Sequence, residues 1–242
     1  MPVLALDTSS SVAVALTDAA GRTLAAQSVP EQRHHAELLA PMIDAVLREA
    51  GVDRTQVAAV VAGTGPAPYT GLRVGLVTAR TLALALGVPV HGVSSLDALA
   101  ADAADRLGLG AGDEVLVATD ARRREVYWAR YRVTATGPAA DGAEPGGALV
   151  ELVAGPSVGS AASVAAEGRA TGAVVVGRGA QQYPADLPPA ADGPLDPDPA
   201  VLARLALARL AAAPAGTLLA SEPLYLRRPD AVPPAERKRA RA

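Results

Sequence analysis

Asp7-Thr8-Ser9-Ser10-Ser11 sits between two apolar runs, Val3 to Leu6 and Val12 to Leu16. A carboxylate followed by hydroxyls at a strand bend has the groups to meet a phosphate and its metal ion. A second acidic turn, Asp120-Ala121-Arg122-Arg123-Arg124-Glu125, offers arginines to a phosphate but lacks the glycine run that lets backbone amides cradle one; Gly177-Arg178-Gly179 is a fragment of such a loop. The run Arg122 to Arg124 otherwise reads as a solvated hairpin tip. With no Cys in the chain, thiolate nucleophiles, disulfides and Cys-ligated zinc are excluded. Of the three histidines, His34 and His35 are adjacent and point different ways, so no metal ligand is expected among them and His91. A nucleophilic serine would need a base and an orienting acid, and nothing couples His91 to Ser9 or Ser94. No catalytic residue is expected on these grounds.

The elements that must position these residues read as follows. Val3–Leu6, Val12–Leu16 and Thr23–Val29 form a β-meander with the Asp7 turn at its first bend. From Glu37 to Gly51, the residues Leu38, Leu39, Met42, Ile43, Val46 and Leu47 repeat at helical spacing, and Pro41 either kinks this helix or marks its first turn. A strand over 57–62 leads into the Gly/Pro loop from Gly63 to Leu72-Arg73, where Thr70 is placed to cap a helix from Gly71 to about Leu86. That helix carries Gly71, Gly75, Ala79 and Ala83 as a stripe of small residues along one face. A strand over 88–93 precedes a helix to about Leu107, with Ser94 and Asp97 as a capping box. The second half repeats the hairpin at Glu114–Thr119 and Glu125–Val133, leaves 134–148 as loop, places a strand over 173–176 and a helix over 201–210, and treats 184–199 as a surface connection. A hairpin with Asp-Thr/Ser at its bend, followed by βαβα, is how an actin-like ATPase domain begins. The expected fold is therefore α/β: two actin-like (ASKHA, ribonuclease H-like) subdomains of mixed sheets flanked by helices, at about 1–107 and 108–227, with the last helix returning to the first and a disordered basic tail over 228–242.

The 242 residues are 50% apolar and 19% charged, which fits a folded chain rather than a disordered one. The longest apolar stretch, Leu82 to Val90, falls far short of a membrane span, and MPVLALDTSS reads as no secretory signal, so a cytoplasmic location is expected. Phe and Asn are absent and Lys238 is the only lysine, so Ala, Val and Leu must build the core, with Trp128 and five Tyr as the only aromatics. Net charge is −3, but residues 227–242 carry six basic and two acidic groups and leave a body of −7. An acidic body with few aromatics lacks the footprint of a self-sufficient nucleic-acid binder.

The segments LALDTSSSVAVAL, HHAELLAPMID, GTGPAPYTGLRVGL, GVPVHGVSSLDALA, TDARRREVYWARY and EPLYLR resemble, in order, the TsaB (YeaZ) family and sample most of residues 1–227. The sharpest of them is Gly63-x-Gly65-Pro66-x-x-Tyr69-Thr70-Gly71-Leu72-Arg73, which departs at Ala67-Pro68-Tyr69, where the family usually has Gly-Ser-Phe. The resemblance implies a non-catalytic subunit that dimerises with the ATPase-like TsaD and works with TsaE to install threonylcarbamoyl on adenosine 37 of tRNAs reading ANN codons. It implies that ATP and metal are used by the partner subunits and that none is bound by this chain alone. TsaD-like proteins hold metal with a His-x-x-x-His pair, where this chain has Arg33-His34-His35-Ala36-Glu37, so neither metal binding nor the peptidase activity of older glycoprotease labels is expected. Asp7, Thr8 and Ser9 remain a candidate vestigial nucleotide-binding turn. The competing reading is a small actin-like ATPase or phosphotransferase using Asp7 and the Asp120 turn.

On the partner-subunit reading, Gly71, Gly75 and Ala79, flanked by Leu72 and Leu76 and set beside Leu39 and Ile43 of the preceding helix, are the expected interface with TsaD in a four-helix contact. The alternative use of that stripe is packing on the chain's own sheet. A fold-related partner implies a homodimer through the same patch when the chain is alone, and tRNA reached through the complex.

Overall fold

The computed structural model describes residues 1–30, 35–136 and 147–227. The tail over 228–242 and His34 lie outside the described residues. Sheet one has the order β3-β2-β1-β4-β5, from β1 (Val3–Asp7), β2 (Val12–Thr17), β3 (Thr23–Val29), β4 (Ala59–Gly63) and β5 (Val90–Val93). β1 to β3 form the antiparallel meander, and β4 and β5 run parallel to β1 and β4 respectively. Sheet two has the order β8-β7-β6-β9, from β6 (Glu114–Asp120), β7 (Val126–Thr136), β8 (Ala148–Gly159) and β9 (Val174–Val176). β6 to β8 are antiparallel, and β9 is parallel to β6. Strand order β3-β2-β1-β4 thus recurs as β8-β7-β6-β9, which makes the two sheets repeats of one α/β plan. The result is a mixed α/β fold of actin-like architecture.

Alternation along β1 sorts the layers. Leu4 and Leu6 face α1 (His35–Glu49) and α2 (Tyr69–Leu86), in a core with Met42, Val46, Leu72, Leu76 and Ala79. Val3 and Ala5 face the other way, against Val201, Leu202, Leu205 and Ala206 of α6 (Pro199–Ala211). The last helix therefore does return to sheet one. α3 (Ser95–Arg106) lies between the sheets, with Leu96, Leu99 and Ala103 on Val115, Val117 and Tyr131. The far face of sheet two packs Leu116, Ala118 and Trp128 on α4 (Ala161–Ala166) and on Ala180 of α5 (Arg178–Gln182). Among the described residues, no helix is long and apolar enough to cross a membrane.

Several local expectations change. β8 extends over residues expected to be loop or given no structure, and α4 and α5 are likewise additions. α2 begins at Tyr69 after Pro68 with no side-chain cap, so Thr70 lies inside the first turn rather than at the cap. α1 runs through Pro41 from His35. At α3, Ser94 Oγ accepts from the Leu96 amide, but Asp97 forms no capping box. It instead accepts from the Tyr131 hydroxyl at 2.7 Å and from Arg209 at 2.6 Å.

Candidate functional site

The carboxyl ends of β1, β4 and β5 meet at one edge of sheet one, where the Asp7 turn, the Gly63 loop and the start of α3 converge. Asp7 is 1% exposed. Its Oδ1 accepts from the Ser9 amide at 2.7 Å and the Ser9 hydroxyl at 2.6 Å, and its Oδ2 accepts from Ser95 Oγ at 2.5 Å. A Cβ on Gly63 would lie 1.8 Å from Asp7 Oδ2, so glycine there lets β4 close over the carboxylate. Burial pushes the Asp7 carboxyl above its ordinary value, and the hydrogen bonds from Ser9 and Ser95 act in the opposite direction. Ser95 Oγ also accepts from the Gly65 amide, and the Ser95 amide donates to Gly65 O, which fixes the Gly/Pro loop to α3. With three hydrogen bonds on a carboxylate that is 1% exposed, Asp7 is directed at its own turn and at α3 rather than at open solvent. The residues at this turn do not fit the metal–nucleotide pair that the actin-like fold would bring, and among the described residues no three His, Asp or Glu are grouped to hold a metal.

Thr8 performs a related structural task. Its hydroxyl donates to Gly71 O at 2.8 Å and accepts from the Gly75 amide at 3.1 Å, so it enters the hydrogen-bond ladder of α2 between a carbonyl and the amide one turn on. A Cβ on Gly75 would lie 2.3 Å from Thr8 Oγ1. The small stripe is thus the seat of α2 on its own sheet. Leu39, Ile43, Leu72, Gly75, Leu76 and Ala79 are all buried inside the chain, and Gly71 is half-buried. Six of the seven expected interface residues thus pack in the chain's own core, and the exposed residues of α1 and α2 lie on the other faces of these helices.

That outer face has its own composition. On α2, Val77 is 61% and Leu84 84% exposed, in line with the exposed Arg73, Arg80 and Thr81. Val77 and Leu84 are seven residues apart, two helical turns, on the side of α2 away from the small-residue stripe. At the start of α2, Tyr69 and Tyr225 stack with ring centroids 4.5 Å apart, the Arg73 guanidinium lies 3.7 Å over the Tyr69 ring, and Arg73 Nε donates to the Tyr225 hydroxyl at 3.0 Å. Leu224 N donates to Thr64 O, and Arg80 donates to Ser221 O at 2.7 Å. The closing segment that contains EPLYLR is therefore a strap fastened along the outer side of α2 and the Gly/Pro loop.

Between the sheets, Thr8, Ser9 and Ser10 face Thr119, Asp120, Arg122 and Arg178 across a cleft of about 160 Å³. Arg178 is engaged by Asp196, with Nε to Oδ1 at 2.6 Å, and Ser10 Oγ donates to the same carboxylate at 2.8 Å. Arg122 lies 3.2 Å from Asp120. The fragment Gly177-Arg178-Gly179 is the start of α5, where Gly177 N donates to Pro194 O, and forms no open phosphate loop. His91 is buried in β5, its Nδ1 accepting from the Leu219 amide at 3.4 Å, with neither Ser9 nor Ser94 among its hydrogen-bond partners.

Comparison with known proteins agrees with this architecture. A family model described as TsaD, tRNA N6-adenosine threonylcarbamoyltransferase, matches residues 23–146. The chain is 38% identical over 213 residues to the uncharacterized protein ML0378 of Mycobacterium leprae, covering 87% of this chain and 49% of that one, so it spans about half the length of that relative. It is 39% identical over 100 residues to the tRNA threonylcarbamoyladenosine biosynthesis protein TsaB of Escherichia coli, covering 41% of this chain and 42% of that one. Among solved structures, YeaZ from Pseudomonas aeruginosa superimposes with a TM-score of 0.72 at 30% identity, over 93% of this chain and 100% of that one. Shared fold, near-complete coverage and the family match together place the chain in the YeaZ (TsaB) family.

Proposed function

We propose that this chain is a non-catalytic subunit that binds a TsaD-type enzyme through the outer face of α1 and α2 and supports threonylcarbamoylation of adenosine 37 in tRNA. The observation that carries the reading is the division between the two sides of α2. Its small residues are consumed by Thr8 and the sheet, while Val77 and Leu84 stand in solvent on the opposite side. Burying an exposed leucine contributes about 2 kcal/mol, so Val77 and Leu84 are the side chains on this face whose burial by a partner would contribute most to a contact. The inward-turned carboxylate of Asp7 supports the same division of roles, with ATP and metal handled by the partner subunits. On this reading TsaE joins through the TsaD pair, tRNA is reached through the complex, and the chain alone pairs with itself through the same helices.

Reconstitution tests the reading. Host TsaD, TsaE and the threonylcarbamoyl-adenylate-forming enzyme are mixed with unmodified tRNA, and the modified nucleoside is counted by mass spectrometry. Addition of this chain is expected to restore modification, and Leu84→Asp is expected to lower it about tenfold or more. Equal modification with the chain left out would overturn the proposal.

A further inference from the structure

We propose that the free edge of β3 is a contact surface for a second copy of this chain, joined strand to strand and antiparallel about a two-fold axis at Ala26. It shares no residue with the α1 and α2 face assigned above to a TsaD-type partner, so the two surfaces stand or fall separately. A sheet edge presents unpaired backbone amides and carbonyls, and folded proteins shield such edges by shortening, covering, charging or breaking them. Of the four edges of the two sheets, β3 alone lacks such a shield. Along β5 runs the closing segment, where the Gly92 amide donates to Leu219 O at 3.0 Å and the Leu219 amide donates to His91 Nδ1 at 3.4 Å. β9 is three residues long. β8 carries Glu151 and Pro156 and pairs with β7 through three register shifts.

The strand Thr23–Val29 contains no charged residue and no proline. Its register on β2 is regular over 25–29, and the one shift falls at the start of the strand. Among the described residues, β2 is its only strand partner. Leu24 is 43% and Val29 37% exposed, so large apolar side chains stand toward both ends, and Ala26 between them is exposed as well. Such a strand carries no charge with which to select a foreign sequence, but it is complementary to itself. Two-fold pairing centred on Ala26 sets that residue opposite itself and Ala25 opposite Gln27, brings Thr23 to Val29, and sets no like charges together. Leu24 of each copy then reaches Ser28 of the other, at a groove of about 500 Å³ that Ala26 and Ser28 line with Pro194 and Pro197. The exposed leucine gains there the apolar cover that its own chain does not give it. Seven residues of strand make a small interface, so pairing sets in at about tens of micromolar and above and leaves dilute protein unpaired at this edge.

The test is sedimentation equilibrium over a range of concentration, on the full chain carrying Val77→Asp with Leu84→Asp to remove pairing through the helices. Hydrogen exchange at the β3 amides is read alongside. A dimer mass is expected at high concentration, with exchange in β3 slowing as the dimer forms. Ala26→Lys in this background sets two like charges face to face at the axis and is expected to weaken the dimer at least about tenfold. The site is exposed, so the melting temperature stays near that of the parent. Ala26→Glu is expected to do the same, and mixing the two variants to restore the dimer, since position 26 faces itself only in this register. Monomer at every concentration would overturn the proposal. A dimer that Ala26→Lys leaves intact would overturn it in favour of another surface. Exchange in β3 that slows only when host TsaD is added to the wild-type chain would overturn it in favour of a strand of that partner.

Discussion

At Gly75 a single methyl group would collide with Thr8 Oγ1, and this contact decides how α2 is used. Gly75→Ala is expected to cost about 1–3 kcal/mol in urea denaturation, and Thr8→Ala in the same chain to recover part of that loss by clearing the space. Asp7→Ala strands the Ser9 and Ser95 hydroxyls and is expected to cost about 2–3 kcal/mol by the same measurement. Burial of His91 holds its imidazole below the ordinary 6.5. The neutral form is the one that fits β5, so its contribution is present above pH 6.5 and is lost as pH falls through the lower folded value. His91→Gln should flatten the part of the acid-side decline in stability that begins near that pH. The sequence made Asp7, Thr8 and Ser9 visible as a chemical turn but concealed their orientation. Thr8 finds Gly71 and Gly75 at separations of 63 and 67 residues, and Asp7 finds Ser95 at 88, distances over which local pattern says nothing.

At the scale of elements, the helices with clean 3.6-residue periodicity were legible, and α1, α2, α3 and α6 all lie where the pattern places them to within a few residues. β8 was hidden because Ala148–Gly159 contains two glycines and a proline, is half-exposed along most of its length, and pairs with β7 through register shifts, which erases period-two alternation. The capping box at Ser94 and Asp97 was a sound local pattern overridden by tertiary partners, Tyr131 and Arg209. Val77 and Leu84 are not distinguishable from the buried leucines and valines in the sequence, because apolar residues surround α2 and only the sheet decides which of them are inside. Val77→Asp with Leu84→Asp is expected to leave unfolding free energy within about 0.5 kcal/mol of wild type, since both sites are exposed, and to weaken TsaD binding by calorimetry at least about tenfold. The strap makes a separate demand. Tyr225→Ala removes the ring stack and the Arg73 hydrogen bond, and should raise amide exchange in the first turns of α2 at a cost of about 1 kcal/mol.

Over the whole molecule, one α/β plan occurs twice, and the two copies face each other through the carboxyl ends of their strands. Hairpins around acidic turns revealed the repeat in the sequence; its completeness, with β8 as the counterpart of β3, required the structure. The cleft between the copies is closed down by the chain's own groups, with Asp7 turned inward and Arg178 held by Asp196, while α2 turns Val77 and Leu84 outward. That inversion, a turn with catalytic residue types used for internal fastening and a helix face left without a partner, is the central claim. Light scattering on a sizing column tests it most directly, with the chain alone and mixed with its host's TsaD, with and without ATP and Mg2+. The account predicts a heterodimer mass for wild type, its loss in the Val77→Asp, Leu84→Asp variant, and no ATP turnover by the chain alone. Absence of a wild-type complex, with ATP hydrolysed by the isolated chain, would contradict it.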